Sequence, residues 1–183
     1  FMLGPRLNAA GRLDDMSLGI ECLITDDEVY ASQIAQQLDN LNRKRREIES
    51  SMQESALLKL EHVLSERPTE THNNCTISLF DQDWHQGVIG ILAARIKDKN
   101  HCPVIIFAPG NGDELKGSGR SIANFHLRDA LDLVTKKYPG LIIKFGGHAA
   151  AAGLTIKQQA FDQFCQAFEQ IAQTLLTPND LTR

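Results

Sequence analysis

With 183 residues, 42% of them hydrophobic, the chain can bury one ordinary core with an appendage, and its composition is neither disordered nor membranous. A formal net charge of −4 excludes a protein that coats nucleic acid through a uniformly basic surface, so any such contact has to be local. No stretch approaches the ~20 apolar residues of a membrane span, and Phe1-Met2-Leu3-Gly4-Pro5 lacks the zones of a signal peptide, which makes a cytoplasmic protein the expectation. Cys22, Cys75, Cys102 and Cys165 form no C-x-x-C pair and sit among apolar neighbours, so reduced, buried thiols are expected. The chain opens on Phe1 within a Gly/Pro-containing stretch and reads as a piece of something longer.

In chain order, residues 1–16 read as a polar loop rich in Gly, Asn and Arg, and Ser17 to Ile24 as a helix of two turns. Thr25-Asp26-Asp27-Glu28 has the form of a capping box, with Thr25 as the cap. A long helix is expected to follow. Its apolar residues Tyr30, Ile34, Leu38, Leu41, Ile48, Met52, Ala56, Leu60 and Val63 keep steps of three, four or seven, and neither Pro nor Gly intervenes before Pro68. About 40 residues at ~1.5 Å each make a rod of roughly 60 Å, which suits a connector between two bodies. Arg45, in the run Arg43-Lys44-Arg45-Arg46, interrupts the stripe; a solvated face and a reach to phosphates are the two readings. Polar residues Thr69 to Asn74 separate the rod from a second unit, with the boundary near Pro68.

That unit begins with a strand, Cys75 to Phe80, and a turn through Asp81-Gln82-Asp83-Trp84-His85 into a helix from about Gln86 to Lys99. Val104 to Ala108 is a nearly continuous apolar run, and strand, helix, strand predicts a parallel crossover. Pro109-Gly110-Asn111-Gly112 predicts a hairpin into a strand around Lys116 to Ile122; Asn124 precedes a helix from about Phe125 to Lys137. Leu141 to Phe145 reads as a strand, Gly146-Gly147-His148 as a loop, Ala151 to Ile156 as a strand or helical turn, Lys157 to Leu176 as an amphipathic helix, and the tail after Thr177 as loose. The fold class is α/β: a mixed sheet of about five strands flanked by helices, preceded by a long connector helix.

Three glycine-containing loops are expected to hold cationic or hydroxyl side chains beside exposed backbone amides: Gly4 to Arg12, Gly117 to Ser121, and Gly146 to Ala149. Glycine lets a phosphate come close to the N–H groups, and arginine matches two phosphate oxygens with a planar fork. Asp81, Asp83 and His85 form a D-x-D-x-H string that a metal could use, against which stand the turn and capping habits of Asp and the wedge-like bulk of Trp84. His62, His72, His101 and His126 stand alone.

Taken together, GPRLNAAGRLDD (residues 4–15), DWHQGVIGILAARI (83–96), GSGRS (117–121) and GGHAAAAG (146–153) resemble, in order and spacing, the second half of the RecJ family. These are single-strand-specific 5′ to 3′ exonucleases of the DHH phosphoesterase superfamily. The resemblance implies two lobes facing each other across a groove for single-stranded DNA: a DHH lobe with two Mn²⁺ or Mg²⁺ ions and a DHH-associated lobe. No D-H-H triplet is present, so the metal motifs are expected in the longer parent and no metal in this piece. By the same resemblance, residues 1–24 would close the DHH lobe, 25–67 would be the connector helix and 68–183 the associated, substrate-binding domain. Arg6, Asn8 and Arg12 would meet DNA phosphates; Ser118, Arg120 and Ser121 would hold the terminal or adjacent phosphate; Gly146 and Gly147 would bring the backbone to the nucleic acid; and His148 would reach the scissile phosphate.

The implied partners are single-stranded DNA and other DNA repair proteins, with no membrane. Two alternatives share the GGH and GSGRS strings: a DHH phosphodiesterase acting on oligonucleotides or cyclic dinucleotides, and a binding module without catalysis, as appended to alanyl-tRNA synthetase. GPRLNAAGR and the long helix favour the exonuclease family over both.

Overall fold

A computed structural model describes residues 2–65 and 74–181. The chain divides into two compact units, Phe1–Glu54 and Ser55–Arg183, and one long helix contributes to both. The predicted boundary at Pro68 and the Thr69–His72 stretch lie outside the described residues.

The first unit holds α1 (Gly4–Leu13), α2 (Ser17–Ile24) and the first part of α3 (Glu28–Ser65). The loop expected over residues 1–16 is instead mostly helix. Pro5 in the first turn presets the helical φ, and Ala9 and Ala10 are fully buried, Ala10 with Ile34 and Leu38 of α3. Two glycines lower the propensity of this segment by about 1 kcal/mol each relative to alanine, but burial against α3 overrides them. The cap of α3 also differs from the expectation. Asp27, two residues after Thr25, accepts from the amides of Val29 and Tyr30 at 2.9 and 3.1 Å, while Thr25 accepts only from Asp27 at 3.2 Å. A carboxylate also complements the positive end of the helix. Arg45 does not break the buried stripe: it donates to Glu49 at 2.6 Å and to Asn42 at 3.0 Å, two buried polar residues on the next and preceding turns.

The second unit is a five-stranded sheet in the order β1-β2-β3-β5-β4, made of β1 (Ile77–Phe80), β2 (Val104–Pro109), β3 (Glu114–Arg120), β4 (Lys144–Gly147) and β5 (Ala151–Lys157). The β1–β2 pair is parallel, joined through α4 (Ile89–Asn100), as the strand-helix-strand pattern predicts; the other pairs are antiparallel. The helix starts three residues later than expected because His85 Nδ1 accepts from the Gly87 amide and holds residues 86–88 as turns. On one face, Ile105, Phe107, Leu115, Leu154 and Ile156 bury themselves against α5 (Leu127–Lys137) and α6 (Phe161–Leu175). Phe107 meets Phe164 edge-on at 5.4 Å, and Phe164 stacks on Phe168 at 5.7 Å. Helix α5 starts two residues later than expected, where His126 caps it by accepting from the Asp129 amide at 3.2 Å. The tail predicted as loose forms a short 3₁₀ turn, Pro178–Leu181, because Asp180 accepts from the Thr177 amide and hydroxyl.

All four cysteines are free, with Cys75 and Cys102 buried and Cys22 and Cys165 partly so. Burial, with Glu169 and Cys75 nearby, pushes the Cys102 thiol up to about 12, which makes it a core residue rather than a nucleophile.

Candidate functional site

The strand β3 organises the site, because alternation sends its residues to opposite faces. Gly117 and Gly119 point at the core: a Cβ at 117 would stand 2.6 Å from Leu154 and Phe107, and one at 119 would stand 2.7 Å from Leu127. The GSGRS glycines thus make room for packing. They form no loop of open amides, since β3 lies between β2 and β5 and pairs with both. Lys116, Ser118 and Arg120 point the other way, toward the face on which α4 lies. There Arg120 Nη1 donates to Ser118 Oγ at 3.2 Å and to the Gly119 carbonyl at 2.8 Å. The first turn of α4 comes close enough that a Cβ on Gly90 would lie 2.9 Å from Arg120 Nη2 and 3.0 Å from Ser118 Oγ.

Strand register extends this arrangement sideways. Ser118 pairs with Gly153 and Gly153 with Gly146, while Arg120 pairs with Ala151. Gly146 and Gly153 are exposed, and a Cβ on either would meet nothing closer than the Gly117 carbonyl at 3.8 Å from Gly153. Neither has positive φ. Nothing in the fold forbids a side chain there, yet the sheet is bare. Gly147 is different: its φ is +147° and a Cβ would lie 2.4 Å from the Ala151 carbonyl, so the turn itself requires glycine. His148 sits exposed in that turn, its amide donating to Ala151 at 2.8 Å. Ser121 is buried and its hydroxyl donates to the Phe125 carbonyl at 2.7 Å, which commits its one proton to shaping the end of β3. Two strand positions from the Ser118 row lie Lys116, Thr155 and Lys144. Lys116 bonds Glu114 at 2.8 Å and Thr155 at 3.2 Å and holds the Glu114 carboxyl below its usual range.

In the first unit, Arg6 is paired with Asp39 through Nε at 2.8 Å and Nη2 at 2.7 Å, fastening α1 to α3. Asn8 and Arg12 are exposed and lie one helical turn apart on α1. Asp81 accepts from the Asp83 amide at 2.9 Å and pairs with Lys59 at 3.1 Å. Burial alone would raise its pKa, but these donors outweigh that and hold it below 3.8. The D-x-D-x-H string is therefore a turn stabilised by its own hydrogen bonds. Sequence reasoning missed Gly90, Gly153, Lys116 and Lys144. Alternation along β3 could have found Lys116, but the placing of Gly90 against Arg120 is purely tertiary.

The family model for the DHHA1 domain matches residues 72–174, which take in the whole sheet and the site on it. The chain belongs to the DHHA1 domain family. It is 51% identical to the single-stranded-DNA-specific exonuclease RecJ of Dickeya dadantii over 99% of its length, but spans only 31% of that relative. Crystal structures of RecJ from Thermus thermophilus in complex with Mn²⁺ and with Mg²⁺ each superpose with a TM-score of 0.78 at 31% identity. They cover 95% of this chain and 24% or 25% of the solved chain. The mixed five-stranded sheet preceded by a long helix is thus the architecture of the matching RecJ region. Among the described residues no three His, Cys, Asp or Glu come together to hold a metal ion, and Asp81 already has a lysine partner.

Proposed function

We propose that this chain is the substrate-binding portion of a single-strand-specific 5′ to 3′ exonuclease acting in DNA recombination and repair, and that it grips the strand by its phosphates. The observation that carries this reading is the row Ser118–Gly153–Gly146, exposed and bare at its two glycines and half-buried at Ser118, with Arg120 two residues further along β3. Ser118 and Arg120 supply donors for a terminal or adjacent phosphate, and the missing side chains at 146 and 153 let the sugar-phosphate chain lie against the sheet. His148, exposed at the edge of this floor, is assigned to the scissile phosphate. Asn8 and Arg12 are assigned to further phosphates; Arg6 has Asp39 as its partner and Ser121 has Phe125, so both act through structure. Contacts of this kind are blind to sequence, as a nuclease for any strand requires.

Hydrolysis belongs to the parent, whose Mn²⁺ or Mg²⁺ would activate the water. Ile20, Leu23 and Ile24 of α2, 52%, 60% and 72% exposed, support reading residues 1–24 as the closing segment of a larger lobe. A DNA substrate goes with a cytoplasmic location, and no helix among the described residues is long and apolar enough to cross a membrane.

The test is Arg120→Ala in the 183-residue chain, with affinity for a single-stranded oligonucleotide measured across salt concentration. The loss of charge-assisted hydrogen bonds should weaken binding by roughly 1.5–3 kcal/mol and reduce the salt slope by about 0.7. The melting temperature should hold. Unchanged affinity, or tighter binding of a cyclic dinucleotide than of the strand, would remove the exonuclease reading.

A further inference from the structure

Gly90 is the second residue of α4, a place where alanine would favour the helix by about 1 kcal/mol. Its φ is not positive, so the backbone does not ask for glycine. The atoms nearest to an added Cβ are Arg120 Nη2 at 2.9 Å, Ser118 Oγ at 3.0 Å and Arg120 Cζ at 3.6 Å, with no backbone atom among them. The first contact is below the separation that Cβ atoms tolerate, and the atom that would yield is the far end of a flexible side chain. A methyl group at 90 would therefore leave the fold intact and push the guanidinium away from Ser118.

We infer that Gly90 is a positioning residue for phosphate binding: the absence of a side chain on the first turn of α4 seats the Arg120 guanidinium beside Ser118 Oγ, so that both meet one phosphate. The inference rests on the phosphate reading of Ser118 and Arg120. It adds that the size of residue 90 sets how well the pair works, although residue 90 is assigned no contact with the DNA. Two groups held in register bind an anion better than the same groups with one displaced, because orientation need not be purchased again on binding.

The experiment is a double-mutant cycle in the 183-residue chain with Gly90→Ala, Arg120→Ala and the pair. The probe is a 5′-phosphorylated single-stranded oligothymidylate followed by fluorescence anisotropy. Thermal melting and the Arg120 Nε–Hε resonance are recorded without DNA. Gly90→Ala should melt no lower than the parent chain, shift the Arg120 resonance, and weaken binding about tenfold. On the Arg120→Ala background the same substitution should change affinity by less than about twofold, because the group it displaces is gone. If Arg120→Ala weakens binding but Gly90→Ala does not, or weakens it equally in both backgrounds, the positioning role is overturned while the phosphate reading stands. An unmoved Arg120 resonance, or a Gly90→Ala chain that unfolds, overturns it too. If Arg120→Ala leaves affinity unchanged, the phosphate reading fails and the positioning role fails with it.

Discussion

On the face of the sheet toward α5 and α6, the glycines of β3 stand where large neighbours leave no room, with Leu154, Phe107 and Leu127 all within 2.7 Å of a notional Cβ. On the opposite face, beside α4, Gly146 and Gly153 stand where there is room to spare. The first set serves the core, and the second leaves the sheet surface open. Strand alternation thus gives one sheet a crowded face and, at its β5–β4 end, an open one, and the same residue type meets different surroundings on the two sides; the proposed binding role falls to the open one.

The comparison breaks most visibly on the packed face. Phe164→Ala removes a fully buried ring that contacts Phe107 and Phe168, and should cost about 3–5 kcal/mol in denaturant melts. A loss below about 1 kcal/mol would mean that this cluster is not the core. On the open face the order of effects reverses. Gly146→Val puts a strand-favouring side chain into empty space, so stability should change by no more than about 1 kcal/mol, in the favourable direction, while single-stranded DNA binding is lost. A variant that binds normally would show that the bare floor carries no ligand.

The smallest effect concerns Lys59, an outward-facing residue on the rod by its sequence position, which is paired with Asp81. Lys59→Ala should cost less than about 1 kcal/mol. Asp81 is held below its ordinary 3.8, so its contribution is present above that value and disappears as pH falls through the folded pKa. The gap in melting temperature between Lys59→Ala and the unsubstituted chain should accordingly close as pH falls below the ordinary carboxylate range. A gap that is constant with pH would assign it to packing of the lysine stem.

Much of this was legible in the sequence. The apolar run Val104–Ala108, the crossover through α4 and the long helix α3 each follow from local pattern, and the structure has all three. The helix over Gly4–Leu13 was not legible, since two glycines speak against it and, beside Pro5 in its first turn, what favours it is packing on α3. Within the site, Ser118 and Arg120 stood out as residue types, but their neighbours depend on register across three strands. Gly153 falls in the segment Ala151 to Ile156, read as a strand or helical turn, and only the register sets it opposite Ser118. Arg6 and Ser121 read as phosphate ligands from the sequence, and only the structure shows the internal partner that each has, Asp39 and the Phe125 carbonyl.

The central claim, that the open face and not the packed one receives single-stranded DNA, is tested most directly by titrating the ¹⁵N-labelled chain with a 5′-phosphorylated oligonucleotide and following amide shifts. The shifts should cluster at Gly90, Ser118, Arg120, Gly146, His148 and Gly153 and fade with added salt. Shifts that fall instead on the outer surfaces of α5 and α6, or that persist unchanged at high salt, would contradict the account.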